Sequence, residues 1–323
     1  MSRKIYTIIV TYNAESWVDL SIGSVLKSDC PVEIVVVDNA SSDNTIEHIS
    51  GKYPGVKLIR LEENQGFGQA NNEGMSYALN KGADHIFLLN QDAEVEPDTI
   101  RILAEVQNKY PEYGICSPIH LNGEGSFFDL KFARYGLETN AGDQLTFDLW
   151  TECKKNNPEL DLLQPVYQVS YVNAAAWMLS RPCLYKTGGF HPVFFMYGED
   201  DEYLNRMIRE KYIAGVVPSV SIRHHREQKI VLDWDRSQKE QRDHFIRSIK
   251  IILTHEQISL SERNRRIRKQ MTKGFRGKFL LQPIHTTKLF FERLSLFFSI
   301  KRRLRTITVD SLPFPYLKVN KNR

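Results

Sequence analysis

Four short strand-like runs, the first two rich in β-branched residues, are spaced by helix-length segments over the first 89 residues and restrict the fold more than any other feature. Ile5-Tyr6-Thr7-Ile8-Ile9-Val10 and Val32-Glu33-Ile34-Val35-Val36-Val37 flank a helix-like segment from about Glu15 to Lys27. Lys57 to Leu61 reads as a third strand, Gln69 to Lys81 as a helix and His85 to Leu89 as a fourth strand. Strand, helix, strand at this spacing specifies right-handed parallel crossovers. Their repetition specifies a doubly wound α/β layer, which places its ligands at the carboxyl ends of the strands.

The pattern loosens past Pro111. Gly114 to Pro118 reads as a strand, and Gly123, Gly125, Gly136 and Gly142 then punctuate a long polar stretch of the kind that is usually functional. Val166 to Ser180 is a strand-like run, Glu199 to Lys211 a helix, and Val216 to Arg223 a last strand ending at His224-His225. With 323 residues, 41% hydrophobic and 25% charged, the chain can bury a large core, which argues against disorder. Cys30, Cys116, Cys153 and Cys183 are widely spaced, without a CxxC pair or a secretory leader, so a reducing, cytoplasmic compartment is expected.

Charge divides the chain. Residues 261–323 carry 17 Lys and Arg against three acids, a balance of +14, whereas residues 1–260 sum to −10. The expected organisation is a catalytic domain over 1–260 and a basic amphipathic helical tail over 261–323.

Polar clusters fall where an α/β sheet would use them. The apolar strand Ile86 to Leu89 runs into Asn90-Gln91-Asp92, a set of ligand groups or a turn in which Asp92 satisfies backbone amides. Asp38-Asn39 follows the second strand, where Asp38 either accepts from a base N–H or joins Ser41, Ser42 and Asp43 in capping the next helix. Gly198-Glu199-Asp200-Asp201-Glu202 opens a helix; the dipole favours acids there, but four in succession exceed what capping requires. His224 and His225 are structural or ligating, and Asp92 with an imidazole can share a divalent cation with phosphate oxygens. The loop Asn64-Gln65-Gly66-Phe67-Gly68-Gln69-Ala70-Asn71-Asn72 contains GxG, yet Asn71 stands where a dinucleotide fingerprint needs a small residue, and the loop follows the third strand rather than the first. This argues against a dehydrogenase.

Five motifs now resemble a known family in order and spacing: TIIVTYN (Thr7 to Asn13), VVVDNASSDNT (Val35 to Thr45), ENQGFGQANNEG (Glu63 to Gly74), FLLNQDAEVEPDT (Phe87 to Thr99) and FFMYGEDDEYLNR (Phe194 to Arg206). Together they resemble the family 2 glycosyltransferases, particularly the bacterial rhamnosyltransferase-like branch, over about Ile5 to Glu227. The resemblance implies a GT-A fold, a Rossmann-like doubly wound mixed sheet, and inverting transfer of a sugar from a nucleoside diphosphate. It implies a nucleotide-sugar site drawn from Thr11, Tyr12, Asn13, Asp38, Asn39, Asn64, Gly66, Asn71, Asn90 and Gln91, with Asp38 on the base. The family's strand-end motif is usually D-x-D. Here Asn90 keeps a ribose hydrogen bond without charge, while Asp92 keeps the metal-facing carboxylate for Mg2+ or Mn2+, with His224 or His225 as a further ligand.

Losing one anion implies a cation that arrives bridged by donor phosphates, and Asn90 tilts the donor toward dTDP-L-rhamnose over a UDP-sugar. The family's E-D pair matches Glu199-Asp200, with Asp200 favoured as base; Asp201 and Glu202 depart from the commoner pattern, and Asp201 faces the acceptor. Val172-Asn173-Ala174-Ala175-Ala176-Trp177 resembles the small-residue floor of the acceptor site, where Trp177 stacks on a sugar or belongs to the core. The acceptor is a saccharide or lipid-linked saccharide. Two rivals are a nucleotide-sugar-binding subunit without turnover and a sugar nucleotidyltransferase. The latter needs a Gly-rich basic loop where Thr11-Tyr12-Asn13-Ala14 stands.

The tail lies outside the resemblance. Leu289, Phe290, Phe291, Leu294, Phe297, Phe298 and Leu304 recur near helical spacing and are closed by Lys301, Arg302, Arg303 and Arg305. Glu292-Arg293 interrupts the run, leaving it too short to span a bilayer. One reading is a membrane-surface helix drawn to anionic lipid on the inner face of the cytoplasmic membrane. The other is a helix packed on the catalytic domain or in a homodimer. No nucleic-acid reader motif accompanies the basic charge.

Overall fold

The computed structural model describes residues 3–133, 137–138, 144–145, 150, 164–225, 238–255, 258–273, 283–307 and 315–320. The four strand-like runs form parallel strands β1 (Ile5–Thr11), β2 (Glu33–Asp38), β3 (Lys57–Arg60) and β4 (His85–Asn90). Between them lie α1 (Val18–Val25), α2 (Thr45–Lys52) and α3 (Phe67–Asn80). Alternate residues of each strand serve opposite layers: Ile8, Val35, Val37, Ile86 and Leu88 face α3, whereas Ile9, Val36, Phe87 and Leu89 join the core containing Val18 and Ile22 of α1. Burial on both faces explains the unbroken apolar runs. The register sets Thr11 beside Asp38 and Val10 beside Asn90, so the polar strand ends share one edge.

The remaining elements are β5 (Ala93–Val95), α4 (Thr99–Lys109), β6 (Tyr113–Asn122), α5 (Leu130–Ala133), a ribbon of β7 (Leu137–Glu138) with β8 (Gln144–Leu145), β9 (Tyr167–Val169), β10 (Ala176–Ser180), α6 (Arg181–Thr187), α7 (Glu199–Arg209) and β11 (Ile213–His224). The nine-stranded sheet runs β3-β2-β1-β4-β10-β6-β11-β5, with β9 on β11. It is mixed, because β10 lies antiparallel between β4 and β6.

Two local expectations change. The run 166–180 is not one strand: β9 pairs with β11, β10 pairs with β4, and residues 170–175 cross between them. The small residues Ala174 and Ala175 allow this close crossing, and the Ala175 carbonyl accepts from the Asn90 amide at 2.9 Å. In addition, Ala93–Val95 is a strand, antiparallel to β11. It draws Asp92 and His224 to the same end of the sheet.

Three helices follow: α8 (Gln238–Thr254), α9 (Leu260–Thr272) and α10 (Pro283–Thr306). Phe245, Ile249, Met271 and Ile300 form their core, against which Phe290, Leu294, Phe297 and Leu304 pack. Much of the phenylalanine-rich stripe is therefore turned onto protein, while Phe291 and Phe298 stay 62% and 58% exposed. Arg293, which interrupts the stripe, is buried and donates to the Gln270, Met271 and Lys273 carbonyls at 2.9–3.1 Å, capping the end of α9. Residues 315–320 return to the catalytic layer: Gly189 N–H donates to the Pro315 carbonyl, and the Asn80 amide exchanges hydrogen bonds with Lys318 and Asn320. Among the described residues no helix is long and apolar enough to cross a membrane.

Candidate active site

The loops after β1 and β2 are stitched into one unit. Asp38 is fully buried and accepts from the Thr11 hydroxyl (3.1 Å), the Ser41 hydroxyl (2.5 Å) and the Ser41 amide (3.0 Å). Its carboxylate is thus directed at its own loop. Asn13, in a left-handed conformation (φ 49°), donates its amide to Ser41 Oγ and accepts from Ser42 N–H through its side chain. Tyr12 and Gln91 exchange hydrogen bonds of 2.8 and 3.4 Å, which tie the β1 loop to the end of β4. Tyr12 remains 46% exposed.

The third loop joins through amides. Asn39 donates to Asn64 Oδ1 at 3.0 Å and accepts from the Gln65 amide at 2.8 Å, and the same Asn64 oxygen accepts from Gly66 N–H. Gly66 has φ 82°, and a Cβ there would lie 1.9 Å from the Phe195 carbonyl oxygen. Only glycine satisfies both conditions. This close approach joins the loop before α3 to the loop before α7, where Phe67 N–H donates to the same carbonyl. Asn71 is buried and donates to the Phe67 carbonyl one turn back, an intrahelical role.

At the end of β4, Asn90 Nδ2 and Asp92 Oδ1 each lie 3.3 Å from His224 Nε2. Asp129, fully buried and capping α5 by accepting from the Lys131 and Phe132 amides, brings Oδ2 to 3.7 Å from His224 Nδ1. At 3.7 Å this is an approach of charges and not a hydrogen bond, and the buried His224 Nδ1 has no hydrogen-bond partner. Sequence reasoning missed Asp129, which no motif marks. His225 is a correction to the expected ligand set: its amide donates to the Asp92 carbonyl, and its ring turns to Glu94 at 3.1 Å. Successive residues of a strand point to opposite faces, so His224 and His225 cannot both face Asp92.

Among the described residues no three His, Cys, Asp or Glu side chains form a metal cage. Asp92 and His224 do fit a hard cation that keeps open positions for phosphate oxygens and water, and the buried Asn90 Oδ1 has no protein partner.

The acids that open α7 border a cavity of about 350 Å³, with Asn90, Asn173, Ala174 and Ala175 on its floor and Tyr171, Lys131, Tyr197 and Arg247 around it. Asp200 Oδ2 accepts from the Tyr171 hydroxyl at 2.5 Å and Oδ1 from the Asp201 amide at 2.9 Å. Burial and then the charge of Asp200 push the Glu199 carboxyl up to about 7, and the same two causes, in that order, push Asp201 up to about 6. Tyr171, Lys131 and Arg247 were not foreseen; none stands in a quoted motif. Trp177 is fully buried, stacked with Phe190 at 6.0 Å and tilted against Tyr203 at 5.7 Å. Its ring has no open face, so core packing replaces the expected sugar stacking; the floor is made by the alanines before it.

Residues 6–163 match the model described as Glycosyl transferase family 2. These residues form a family 2 glycosyltransferase domain. An N-acetylglucosaminyl-diphospho-decaprenol L-rhamnosyltransferase of Mycobacterium tuberculosis is 23% identical over 241 residues, covering 70% of this chain and 77% of the relative. A dTDP-rhamnosyl transferase of Shigella flexneri is 35% identical over 105 residues, 32% of this chain and 34% of its own. Among solved structures, S. aureus TarS in complex with UDP-GlcNAc superimposes with TM-score 0.55 at 15% identity, covering 92% of this chain and 81% of that one. GalNAc-T7 with UDP, GalNAc and Mn2+ gives 0.56 at 15%, covering 87% and 58%. The chain therefore has the GT-A fold of these glycosyltransferases and is similar in sequence to rhamnosyltransferases.

One consequence of the acid cluster concerns stability. A carboxyl whose pKa is raised in the folded transferase holds its proton more tightly there than in the unfolded chain, so ionisation opposes folding. For Glu199 the penalty is absent below about 4.5 and complete above about 7. Glu199→Gln is expected to stabilise the protein at pH 8, by up to about 3 kcal/mol, and to change little at pH 4. Thermal unfolding at the two pH values measures the difference, and equal shifts at both would contradict it.

Proposed function

We propose that this glycosyltransferase moves a sugar from dTDP-L-rhamnose or a UDP-sugar, with inversion, to a hydroxyl of a saccharide or lipid-linked saccharide in surface polysaccharide synthesis. The observation that carries the reading is that Asp200 and Asn90 border one cavity, which sets a carboxylate opposite the strand end where a donor binds. The Tyr171 hydrogen bond holds the Asp200 carboxylate, leaving its free lone pairs for the acceptor hydroxyl. Asp200 takes that proton as the acceptor oxygen bonds to the anomeric carbon and the bond to the nucleoside diphosphate breaks. A single base suffices, since no sugar–enzyme bond forms.

Asp92 and His224 would hold Mg2+ or Mn2+, which when bound neutralises the departing diphosphate. Asn90 holds the ribose. The loops carrying Tyr12, Asn13, Asp38, Asn39, Asn64 and Gly66 enclose the base. A base contact by Asp38 requires the Ser41 turn to open, because the side chain is fully buried beneath it. The names of two relatives, one an L-rhamnosyltransferase and one a dTDP-rhamnosyl transferase, and the uncharged Asn90 support the dTDP-L-rhamnose choice. Donor hydrolysis and transfer across a panel of UDP-, dTDP- and GDP-sugars test it. Turnover of dTDP-L-rhamnose or a UDP-sugar is the expected result, and nucleotide binding without hydrolysis or transfer of any donor would instead mark a binding subunit.

The site of action we propose is the inner face of the cytoplasmic membrane, reached through the basic helices. Phe291 and Phe298 are exposed on α10, in a region of residues carrying +14. Each lipid-proximal Lys or Arg contributes roughly 1 kcal/mol, screened by salt. The protein is expected to sediment with anionic vesicles at low salt and much less at high salt, and Phe291→Ser with Phe298→Ser should weaken sedimentation at both. Sedimentation no greater with anionic than with neutral vesicles would refute the membrane reading. A shift from dimer to monomer in the double variant would assign α10 to a homodimer.

A further inference from the structure

The cavity beside α7 contains two buried oxygens that neither the base nor the metal pair uses. Asn173 is 8% exposed and Glu199 6%, and both line the space of about 350 Å³ that Asn90 and Asp200 also border. Asn173 Oδ1 and Glu199 Oε2 are shielded from solvent, and neither has a hydrogen-bond partner among the described residues.

A buried acceptor without a partner costs folding stability, so an asparagine in such a place calls for a reason. Packing does not supply one. Its neighbours in the crossing between β9 and β10 are Val172, Ala174, Ala175 and Ala176, all buried and apolar, and another small apolar residue would suit that run. A donor that arrives with a ligand does supply a reason. The terminal torsion of asparagine is broad, so a small rotation turns Oδ1 to the cavity without moving the backbone.

The lining sets the ligand's chemistry. Phe67, Ala174 and Ala175 offer apolar surface, and the two orphan oxygens are acceptors. Their complement is a ring with C–H faces and O–H donors, which is a sugar; a phosphate brings no donor to them. The transferred sugar must lie between the diphosphate at the end of β4 and the acceptor oxygen at Asp200. Asn90 and Asp200 border this one cavity, so that ring falls beside Asn173.

We propose that Asn173 is a specificity-determining residue for the donor, accepting a hydrogen bond from a ring hydroxyl of the transferred sugar, with Glu199 Oε2 as a second acceptor on the same ring. The proposal rests on reading Asp200 as the base and the end of β4 as the donor site. It deepens that reading by naming what distinguishes one donor sugar from another.

The test is calorimetric and needs no turnover. dTDP-L-rhamnose with dTDP, and UDP-glucose with UDP, are titrated into full-length wild type and Asn173→Ala with Mg2+ present. The sugar nucleotide that the wild type binds more tightly is expected to lose about tenfold in affinity for Asn173→Ala. Its bare diphosphate should stay within about twofold, which also reports that the variant is folded. Monodeoxy forms of the same donor locate the contact. One of them should bind the wild type about tenfold more weakly than the parent, yet bind Asn173→Ala as the parent does. Thermal unfolding of ligand-free Asn173→Ala should occur at or above the wild-type midpoint, because an orphan acceptor has been removed.

Unchanged sugar-nucleotide affinity in Asn173→Ala would overturn the proposal. So would an equal loss for the bare diphosphate, which would mark a structural residue, or deoxy effects of the same size in wild type and variant. If the transferase reading alone were wrong, the donor panel would show no turnover while Asn173→Ala still separated the sugar nucleotide from its diphosphate.

Discussion

Asp200→Asn is expected to lower the rate of sugar transfer by about 10²-fold or more while leaving nucleotide affinity intact. The substitution is close to isosteric. An asparagine oxygen still accepts from the Tyr171 hydroxyl or the Asp201 amide, the two hydrogen bonds that hold the side chain now. What disappears is the ability to take a proton. A loss confined to kcat therefore separates a base from a helix-capping acid, whose replacement by a good cap would cost little. Tyr171→Phe should act in the same direction but more weakly, because it frees the carboxylate to rotate without removing it. The neighbouring acid provides the counter-test. Glu199 Oε2 is buried without a partner, and its carboxyl is pushed up to about 7 by burial and by Asp200. If Glu199→Gln were inactive and Asp200→Asn near wild type, the base would be one residue upstream.

The parts legible in the sequence were those fixed by local pattern. Doubly buried parallel strands need continuous apolar residues, so β1, β2 and β4 announce themselves, and their polar carboxyl ends follow from the crossovers. β5 did not announce itself, because three residues carry no periodicity; its pairing with β11 is a long-range event. The run 166–180 misled for the opposite reason, as an apolar stretch cannot show where a chain changes sheet partner. Trp177 follows from this: once β10 lies between β4 and β6, its ring must enter the aromatic core with Phe190 and Tyr203. Of the residues in quoted motifs, the structure brings Asn90, Glu199, Asp200 and Asp201 to one cavity. Asp129 and Tyr171 reach the site from loops, Lys131 from α5 and Arg247 from α8, where single residues have no sequence signal. The tail showed the same limit: a stripe at helical spacing is identical whether it faces lipid or protein, and only Arg293 on the end of α9 distinguishes the packed part.

Asp92→Ala is expected to reduce transfer by roughly 10³-fold and to abolish its response to Mg2+ or Mn2+. The end of β4 offers one carboxylate where the family usually has two, so little remains to hold a cation once Asp92 is gone. His224 Nε2, 3.3 Å from Asp92 Oδ1, would serve as an auxiliary ligand in the proposed site, and His224→Ala should weaken the metal response without erasing it. His225→Ala should stay near wild type in metal response, since that ring is turned to Glu94. Asn90→Asp would restore a second anion at the same edge and is expected to tighten cation binding in the absence of donor, at some cost to ribose recognition. Two measurements separate a metal role from a structural one: rate against metal concentration, and nucleotide-diphosphate affinity with and without metal. The wild type should bind the nucleotide diphosphate more tightly with metal, and Asp92→Ala should bind it equally weakly in both conditions. Full activity in excess chelator, or a metal response undiminished in Asp92→Ala, would remove the cation from the reaction and leave diphosphate departure to protein cations alone. Asp92 sits within 3.3 Å of an imidazole that Asp129 backs from behind. That pairing of carboxylate and imidazole is what a cation would use, and the buried Asn90 Oδ1 beside it has no protein partner.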